Sequence, residues 1–194
     1  MKRSELVYRE ILFNAMEKQN RRLSQAYLAK TLKISLSTVN LALKPLVRMN
    51  AIKIGRMGFN VMDIKKILYC WASIRNIEKD IIYKTRIEEP IREIERLMPN
   101  DIVFTGYSGY RLKFKDVPAD YSEIYVYGSE NIKKRFEENN KNPNLFVLKK
   151  DGVVENYGKI ATIANLFVDL WNLKEWYAKD FLKALEAKFG RFLE

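Results

Sequence analysis

Residues 24–61, SQAYLAKTLKISLSTVNLALKPLVRMNAIKIGRMGFNV, contain the most informative pattern of this chain. Ser24 and Ser35 are good helix N-caps, and each precedes a run of apolar residues at helical spacing. Residues 33–35 form a short turn between the two runs, and two short extended segments follow the second. The pattern predicts a helix, a turn, a second helix over residues 35–49 and a β-hairpin.

The second of these helices has two contrasting faces. Its predicted buried face consists of Val39, Leu43, Leu46 and Val47. Its polar face consists of Ser37, Asn40, Lys44 and Arg48, which recur about one turn apart. A helix that reads the major groove of DNA needs an apolar face for packing beside a polar, cationic face for the bases. Pro45 removes one backbone donor within the helix and predicts a local bend.

The predicted hairpin places a cation near its tip. Residues 51–54 and 59–61 flank Gly55-Arg56-Met57-Gly58, so Arg56 can reach a phosphate or the minor groove. At this point LAKTLKISLSTVNLALKPL, followed by the hairpin, resembles the winged helix-turn-helix family. The resemblance implies a DNA-binding domain. A generic three-helix bundle with a hairpin, and a winged helix that binds protein, stay open as alternatives.

The charge of the chain is unevenly distributed. Residues 1–66 contain 14 Lys and Arg against 4 Asp and Glu, whereas residues 67–194 contain 21 against 20. Cations clustered around a reading helix favour a polyanionic partner, because phosphate contacts release condensed counterions. The charge therefore indicates double-stranded DNA as the partner.

Several classes of site are excluded by composition. The chain has no histidine, which excludes His-dependent nucleophilic sites and His-containing zinc sites. Cys70 is the one cysteine, so no disulfide can form within the chain, and its apolar neighbours predict an inert, buried thiol. No apolar run approaches the length of a membrane span, and residues 1–11 lack the core of a signal peptide. We expect a cytoplasmic protein without membrane contact.

The rest of the N-terminal half predicts further helices. A helix over residues 4–18 faces inward with Leu6, Val7, Ile11, Leu12 and Ala15. The linker 19–23 contains Arg21 and Arg22, which either contact DNA or are simply solvated. Asp63 caps a helix over residues 64–75 whose apolar stripe is Ile64, Ile67, Leu68, Trp71 and Ile74. That stripe is either interdomain core or a dimer seam. A helix over residues 88–98 faces inward with Ile91, Ile94 and Leu97.

The C-terminal half mixes strands and helices. We expect extended segments at residues 80–86, 102–105, 110–114, 123–127 and 144–148, and helices at residues 131–139, 159–173 and 175–189. The glycine-rich segment 106–109 is either a tight turn between strands or a cradle for a phosphate.

This half resembles the degenerate nucleotidyltransferase-like domain that follows a winged helix in antitoxin-type repressors of prokaryotic abortive-infection systems. The resemblance rests on FTGYSGYRLKF at residues 104–114, IYVYGS at residues 124–129 and IANLFVDLW, with Asp169-Leu170, at residues 163–171. Active nucleotidyltransferases hold magnesium with two carboxylates one residue apart on the strand after the Gly-Ser segment. The strand EIYVYGS has no such pair, and Asp116 and Asp120 fall in a predicted loop. We therefore expect no catalytic residues, no metal and no cofactor.

Together these observations predict an α+β protein with a winged helix domain at residues 1–66, connecting helices at residues 67–98 and an α/β nucleotidyltransferase-like domain at residues 99–194. The predicted function is transcriptional regulation through duplex DNA, with the C-terminal domain serving dimerisation, ligand binding or a protein partner such as a toxin or transcription factor. The DNA-contacting residues are predicted to be Ser37, Thr38, Asn40, Lys44, Arg48 and Arg56. The alternatives are a nucleotidyltransferase with a nucleic-acid-binding arm and a protein-interaction module.

Overall fold

The computed structural model describes residues 1–139 and 141–190, which form two compact units. The first unit comprises Met1–Arg75, Thr162–Ala164 and residues 186–190. The second comprises Asn76–Ala161 and Asn165–Leu185. These limits differ from the predicted domains, because the first unit extends past residue 66 to Arg75 and also includes two later segments. Helices and sheets are mixed, in agreement with the predicted α+β class. Among the described residues, no helix combines the length and apolar character needed to cross a membrane.

The Met1–Arg75 segment of the first unit contains four helices and a small antiparallel sheet. In chain order these are α1 (Arg3–Met16), β1 (Arg22–Leu23), α2 (Gln25–Leu32), α3 (Leu36–Arg48), β2 (Ile52–Gly55), β3 (Gly58–Val61) and α4 (Ile64–Ile74). Ser24, Ser35 and Asp63 cap α2, α3 and α4 as predicted, each accepting a hydrogen bond from a backbone N–H three residues on. The helix-turn-helix and its hairpin therefore form as the sequence predicts.

The wing is a three-stranded sheet in the order β1-β3-β2. The predicted linker contributes its third strand: Arg22 pairs with Asn60 and Leu23 with Phe59. Gly58 makes this pairing possible, because its φ is 145° and a Cβ there would lie 2.2 Å from the carbonyl oxygen of Leu23. The wing is thus fixed to the chain that enters α2.

Most of the predicted core of this unit is buried, with corrections in the last turns of α3 and α4. Val39, Leu43 and Leu46 are buried on α3 together with Ala42, whereas Val47 is 39 % exposed. Ile64, Ile67, Leu68 and Trp71 are buried on α4, whereas Ile74 is 38 % exposed. The α4 stripe packs on α1 within the same unit, where the indole N–H of Trp71 donates to Glu5 Oε2 at 3.2 Å. Helix α3 continues through Pro45.

Helix α1 buries polar groups that its apolar spacing did not predict. Glu5, Arg9, Glu10 and Asn14 are all buried. Arg75 Nη1 lies 3.6 Å from Glu5 Oε2, and the Tyr27 hydroxyl donates to Glu10 Oε1 at 2.7 Å. Both carboxylates therefore connect α1 to a neighbouring helix or its end, since buried charges need such partners.

The second unit is built on a four-stranded sheet in the order β4-β7-β6-β5. In chain order its main elements are β4 (Ile81–Thr85), α5 (Ile91–Leu97), β5 (Val103–Thr105), α6 (Gly106–Phe114), β6 (Ile124–Gly128), β7 (Leu145–Lys149), α7 (Ile163–Trp171, whose first two residues belong to the first unit) and α8 (Ala178–Phe189, whose last turn does). Strands β6 and β7 are parallel, and the other two pairs are antiparallel. The core includes Ile94, Ile124, Val126, Leu145 and Val147.

Three predictions for this unit are wrong. Residues 106–109 do not form a tight turn between strands, because α6 begins at Gly106 directly after β5 and continues through residues 110–114, which were predicted as a strand. Only a single-turn helix, Glu130–Lys134, occurs where a helix over residues 131–139 was predicted. Leu97, predicted to face inward, is 39 % exposed at the end of α5.

Candidate nucleic-acid interface

The exposed face of α3 carries three polar side chains on successive turns. Asn40, Lys44 and Arg48 are all exposed, while the opposite face of the helix packs into the unit. In residues 1–139 and 141–190, none of these three side chains forms a hydrogen bond or ion pair. Their donors are therefore available to a ligand, at the spacing of a helix that meets base edges.

The same three side chains line one cleft. This cleft, of about 420 Å³, lies between α3, the start of α2 and the wing. Its wall also includes Gln25, Val47 and Ile54, which the sequence pattern did not indicate as interface residues. Gln25 follows the Ser24 N-cap directly, so its place at the start of α2 could have been noted from the cap alone.

The hydroxyl groups predicted to contact DNA belong to the cap of α3. Ser35 Oγ lies 2.9 Å from Ser37 Oγ and 2.8 Å from Thr38 Oγ1, and it accepts the Thr38 backbone N–H at 3.1 Å. Ser37 and Thr38 are thus held together at the N-terminus of α3. They do not line the cleft that contains Asn40.

The wing presents a second set of cations. Arg56 lies with Met57 in the two-residue turn between β2 and β3, and both are exposed. The register also aligns Arg22, Asn60 and Lys53 across the three strands, with all three side chains exposed. The amino-acid sequence leaves the role of Arg22 open and does not predict this row, because a two-residue strand gives no periodic signal.

Burial makes the surface of this region more basic than its composition indicates. Of the 14 Lys and Arg in residues 1–66, only Arg9 is buried. Of the 4 carboxylates, Glu5 and Glu10 are buried, and Glu17 and Asp63 are partly exposed. The outer surface therefore carries a strongly positive charge, which attracts polyanions over a distance of about a Debye length.

The second unit has no carboxylate pair on β6. The side chains on one face of that strand include Tyr125 and Tyr127, and each donates its hydroxyl to a carboxylate from elsewhere in the unit. Tyr127 and Thr105 donate to Asp169 Oδ2 at 2.6 Å and 2.7 Å. Asp169 is therefore enclosed by donors and fully buried. In the described residues, no three His, Cys, Asp or Glu side chains are grouped so that they could hold a metal ion.

A pair of tyrosines shares the second carboxylate. Tyr107 and Tyr125 donate to the two oxygens of Glu175 at 2.9 Å and 2.8 Å. Burial, and then the charge of Glu175, raises the pKa of both hydroxyls far above the usual value, so both remain protonated donors. All residues of the Gly106–Gly109 segment are buried, which leaves its backbone N–H groups covered by protein.

Comparison with known proteins bears on the first unit. A family model described as winged helix-turn-helix DNA-binding matches residues 9–53, from within α1 to the second residue of β2. No curated protein and no solved structure matches the chain. The N-terminal unit thus contains a winged helix-turn-helix DNA-binding domain, and the matched segment includes Asn40, Lys44 and Arg48.

Proposed function

We propose that this protein is a transcriptional regulator that binds duplex DNA through α3 and the wing. The observation that carries the proposal is the alignment of Asn40, Lys44 and Arg48, which are exposed and unpaired within the described chain, in a segment matched by the DNA-binding family model. A positive surface that retains only two partly exposed carboxylates in residues 1–66 supports the same conclusion.

The side chains divide into two groups by the chemistry that they offer. Asn40 can bond to adenine through two hydrogen bonds, and Lys44 and Arg48 can bond to guanine or to phosphate. Arg56 on the wing tip, together with Ser37 and Thr38 at the cap of α3, supplies phosphate contacts. The row of Arg22 and Lys53 adds two cations of the same kind. Base contacts specify the sequence, whereas phosphate contacts hold the protein on any duplex.

The proposal is tested by comparing two single variants of the full chain. A preferred site is first selected from a pool of random duplexes. Asn40→Ala should weaken binding to that site by ~1–3 kcal/mol and relax the choice at one base pair, with little effect on random DNA. Arg56→Ala should weaken all duplexes alike and reduce the slope of log affinity against log salt by about 1.

Two further variants make the comparison interpretable. Lys79→Ala removes an exposed cation from the second unit, and we expect its DNA affinity to equal that of the unaltered protein. Val39→Asp buries a charge in the first unit and should abolish binding through unfolding, which melting curves will show. If Asn40→Ala weakens specific and random DNA equally while the fold persists, α3 does not read sequence. If no duplex binds at low salt, a winged helix that binds protein is the better explanation.

For the second unit we propose a role without catalysis. A nucleotidyltransferase requires paired carboxylates to hold magnesium on the strand after the Gly-Ser segment, and β6, the strand that follows that segment here, has no carboxylate. The start of α6 after β5, at Gly106, supports the resemblance to a degenerate nucleotidyltransferase-like domain. The test is to incubate the protein with a radiolabelled nucleoside triphosphate, magnesium and a nucleic-acid or protein acceptor. Transfer of the labelled nucleotide to the acceptor would contradict this proposal.

We further propose that the second unit provides a protein contact, either with a second copy of the chain or with a partner such as a toxin. Trp176 is 73 % exposed and Trp171 is 47 % exposed, and exposed tryptophans are enriched where proteins bind each other. Sedimentation of the protein alone distinguishes self-association from a contact that needs another protein.

A further inference from the structure

Leu41 is the most exposed large apolar side chain on α3. Its side chain is 61 % exposed, although the core of the unit is filled from the opposite face by Val39, Ala42, Leu43 and Leu46. A single exposed leucine is normal on a protein surface and does not by itself indicate a binding site. Leu41 is informative because it lies on the helix that we propose to enter the major groove.

The helical period places Leu41 among the polar groups of the interface. At about 100° per residue, Leu41 follows Ser37 by one turn and precedes Lys44 by slightly less than one turn. Asn40 is its neighbour in sequence, so the two residues lie at the same level of α3 on either side of Lys44. A helix that presents Asn40 to one base pair therefore presents an apolar group beside it.

The major groove offers one apolar group that this side chain can recognise. Each T·A pair exposes the 5-methyl group of thymine there, and apolar side chains distinguish thymine through that methyl group. We propose that Leu41 contacts the 5-methyl group of a thymine next to the base pair read by Asn40. This inference rests on the proposed DNA-binding function and adds a base, and the chemical group on it, to the recognised site.

The contact is tested by removing only the methyl group. In the selected duplex, each thymine is replaced in turn by deoxyuridine, which leaves the base pair and its hydrogen-bonding groups unchanged. At one position the replacement should weaken binding about fourfold, the effect expected for burying one methyl group. Leu41→Ala should bind the original duplex more weakly and should lose the difference between thymine and deoxyuridine at that position.

A matched variant distinguishes this contact from a general loss of apolar surface. Leu36→Ala removes the same group from the first residue of α3, where the side chain is 50 % exposed and points about 140° away from Leu41. We expect this variant to retain the thymine preference. Melting curves should be the same for both variants, since both side chains are largely exposed.

The possible outcomes separate the two proposals. If the protein selects a duplex but Leu41→Ala retains the methyl dependence, or no thymine shows one, then the Leu41 contact is wrong and DNA binding stands. If the protein selects no duplex, DNA binding fails and the contact fails with it. A methyl dependence lost in Leu41→Ala and retained in Leu36→Ala establishes the contact.

Discussion

We expect the half-buried carboxyl of Glu123 to make the stability of the second unit depend on pH. Burial, and then the negative charge of Glu175, raises the pKa of Glu123, while Ser122 Oγ donates to its Oε1 at 3.1 Å. Tyr107 and Tyr125 face the same region, but their hydroxyls donate to Glu175. The ordinary value for this carboxyl is 4.5, so at higher pH the unfolded chain loses a proton that the folded chain still holds. The free energy of unfolding should therefore fall as pH rises from that value to the raised pKa.

Replacing this carboxyl tests the effect directly. We expect Glu123→Gln to melt at a higher temperature than the unaltered protein at pH ~7.5 and at nearly the same temperature at pH ~4, because the glutamine has no proton to lose. Glu89→Gln removes an exposed carboxyl and should not change the melting temperature at either pH. If Glu123→Gln and the unaltered protein melt at the same temperature at pH ~7.5, the surroundings do not raise the pKa of this carboxyl.

For single residues, the sequence predicted which polar side chains of α3 are exposed better than it predicted where the buried face of a helix ends. Asn40, Lys44 and Arg48 lie on one exposed face because helical spacing alone determines which side chains share a face. Val47, Ile74 and Leu97 share the phase of buried residues yet are exposed, and each lies in the last turn of its helix. Periodicity gives the direction of a side chain but not the point at which its packing partner ends.

Among the elements, the wing depends on one glycine. We expect Gly58→Ala to destabilise the first unit by about 2 kcal/mol and to weaken DNA binding, because the new Cβ would meet the Leu23 carbonyl oxygen at a φ that other residues rarely adopt. Gly55→Ala is the matched control, since its Cβ would meet nothing closer than the Gly58 oxygen at 3.9 Å. Denaturant unfolding and DNA titration measure both effects. Equal stability of the two variants would mean that β1 does not hold the wing.

The elements that the sequence missed depend on distant pairing. Strand β1 has two residues and forms because it pairs with β3, so residues 19–23 alone do not predict it. Helix α6 begins with a glycine-rich segment that indicates a turn, but Gly109 packs so closely that a Cβ would lie 2.6 Å from Leu166 Cδ2. Packing against α7 thus favours a helix where local propensity disfavours one.

At the scale of the whole molecule, the uneven charge predicts a steep dependence of DNA binding on salt. Residues 1–66 carry a large excess of cations, and residues 67–194 are nearly balanced. With about 6 phosphate contacts, affinity for any duplex should fall ~10³-fold between roughly 50 and 200 mM salt. A titration of the full chain measures this slope. A slope that corresponds to fewer than about 2 contacts would contradict binding through the α3 and wing surface.

The discontinuity of the first unit has a consequence for the time at which it is completed. Glu17 Oε1 accepts a hydrogen bond from the backbone N–H of Ile163, and the Tyr69 hydroxyl donates to Glu186 Oε1. In each pair, the first residue is synthesised long before its hydrogen-bond partner. A ribosome that adds about 5 to 20 residues per second exposes Glu186 roughly 7 to 30 s after the end of α3. During synthesis the whole second unit emerges before the first can close. The first unit of a nascent chain therefore has both of these contacts only after the second unit has been synthesised.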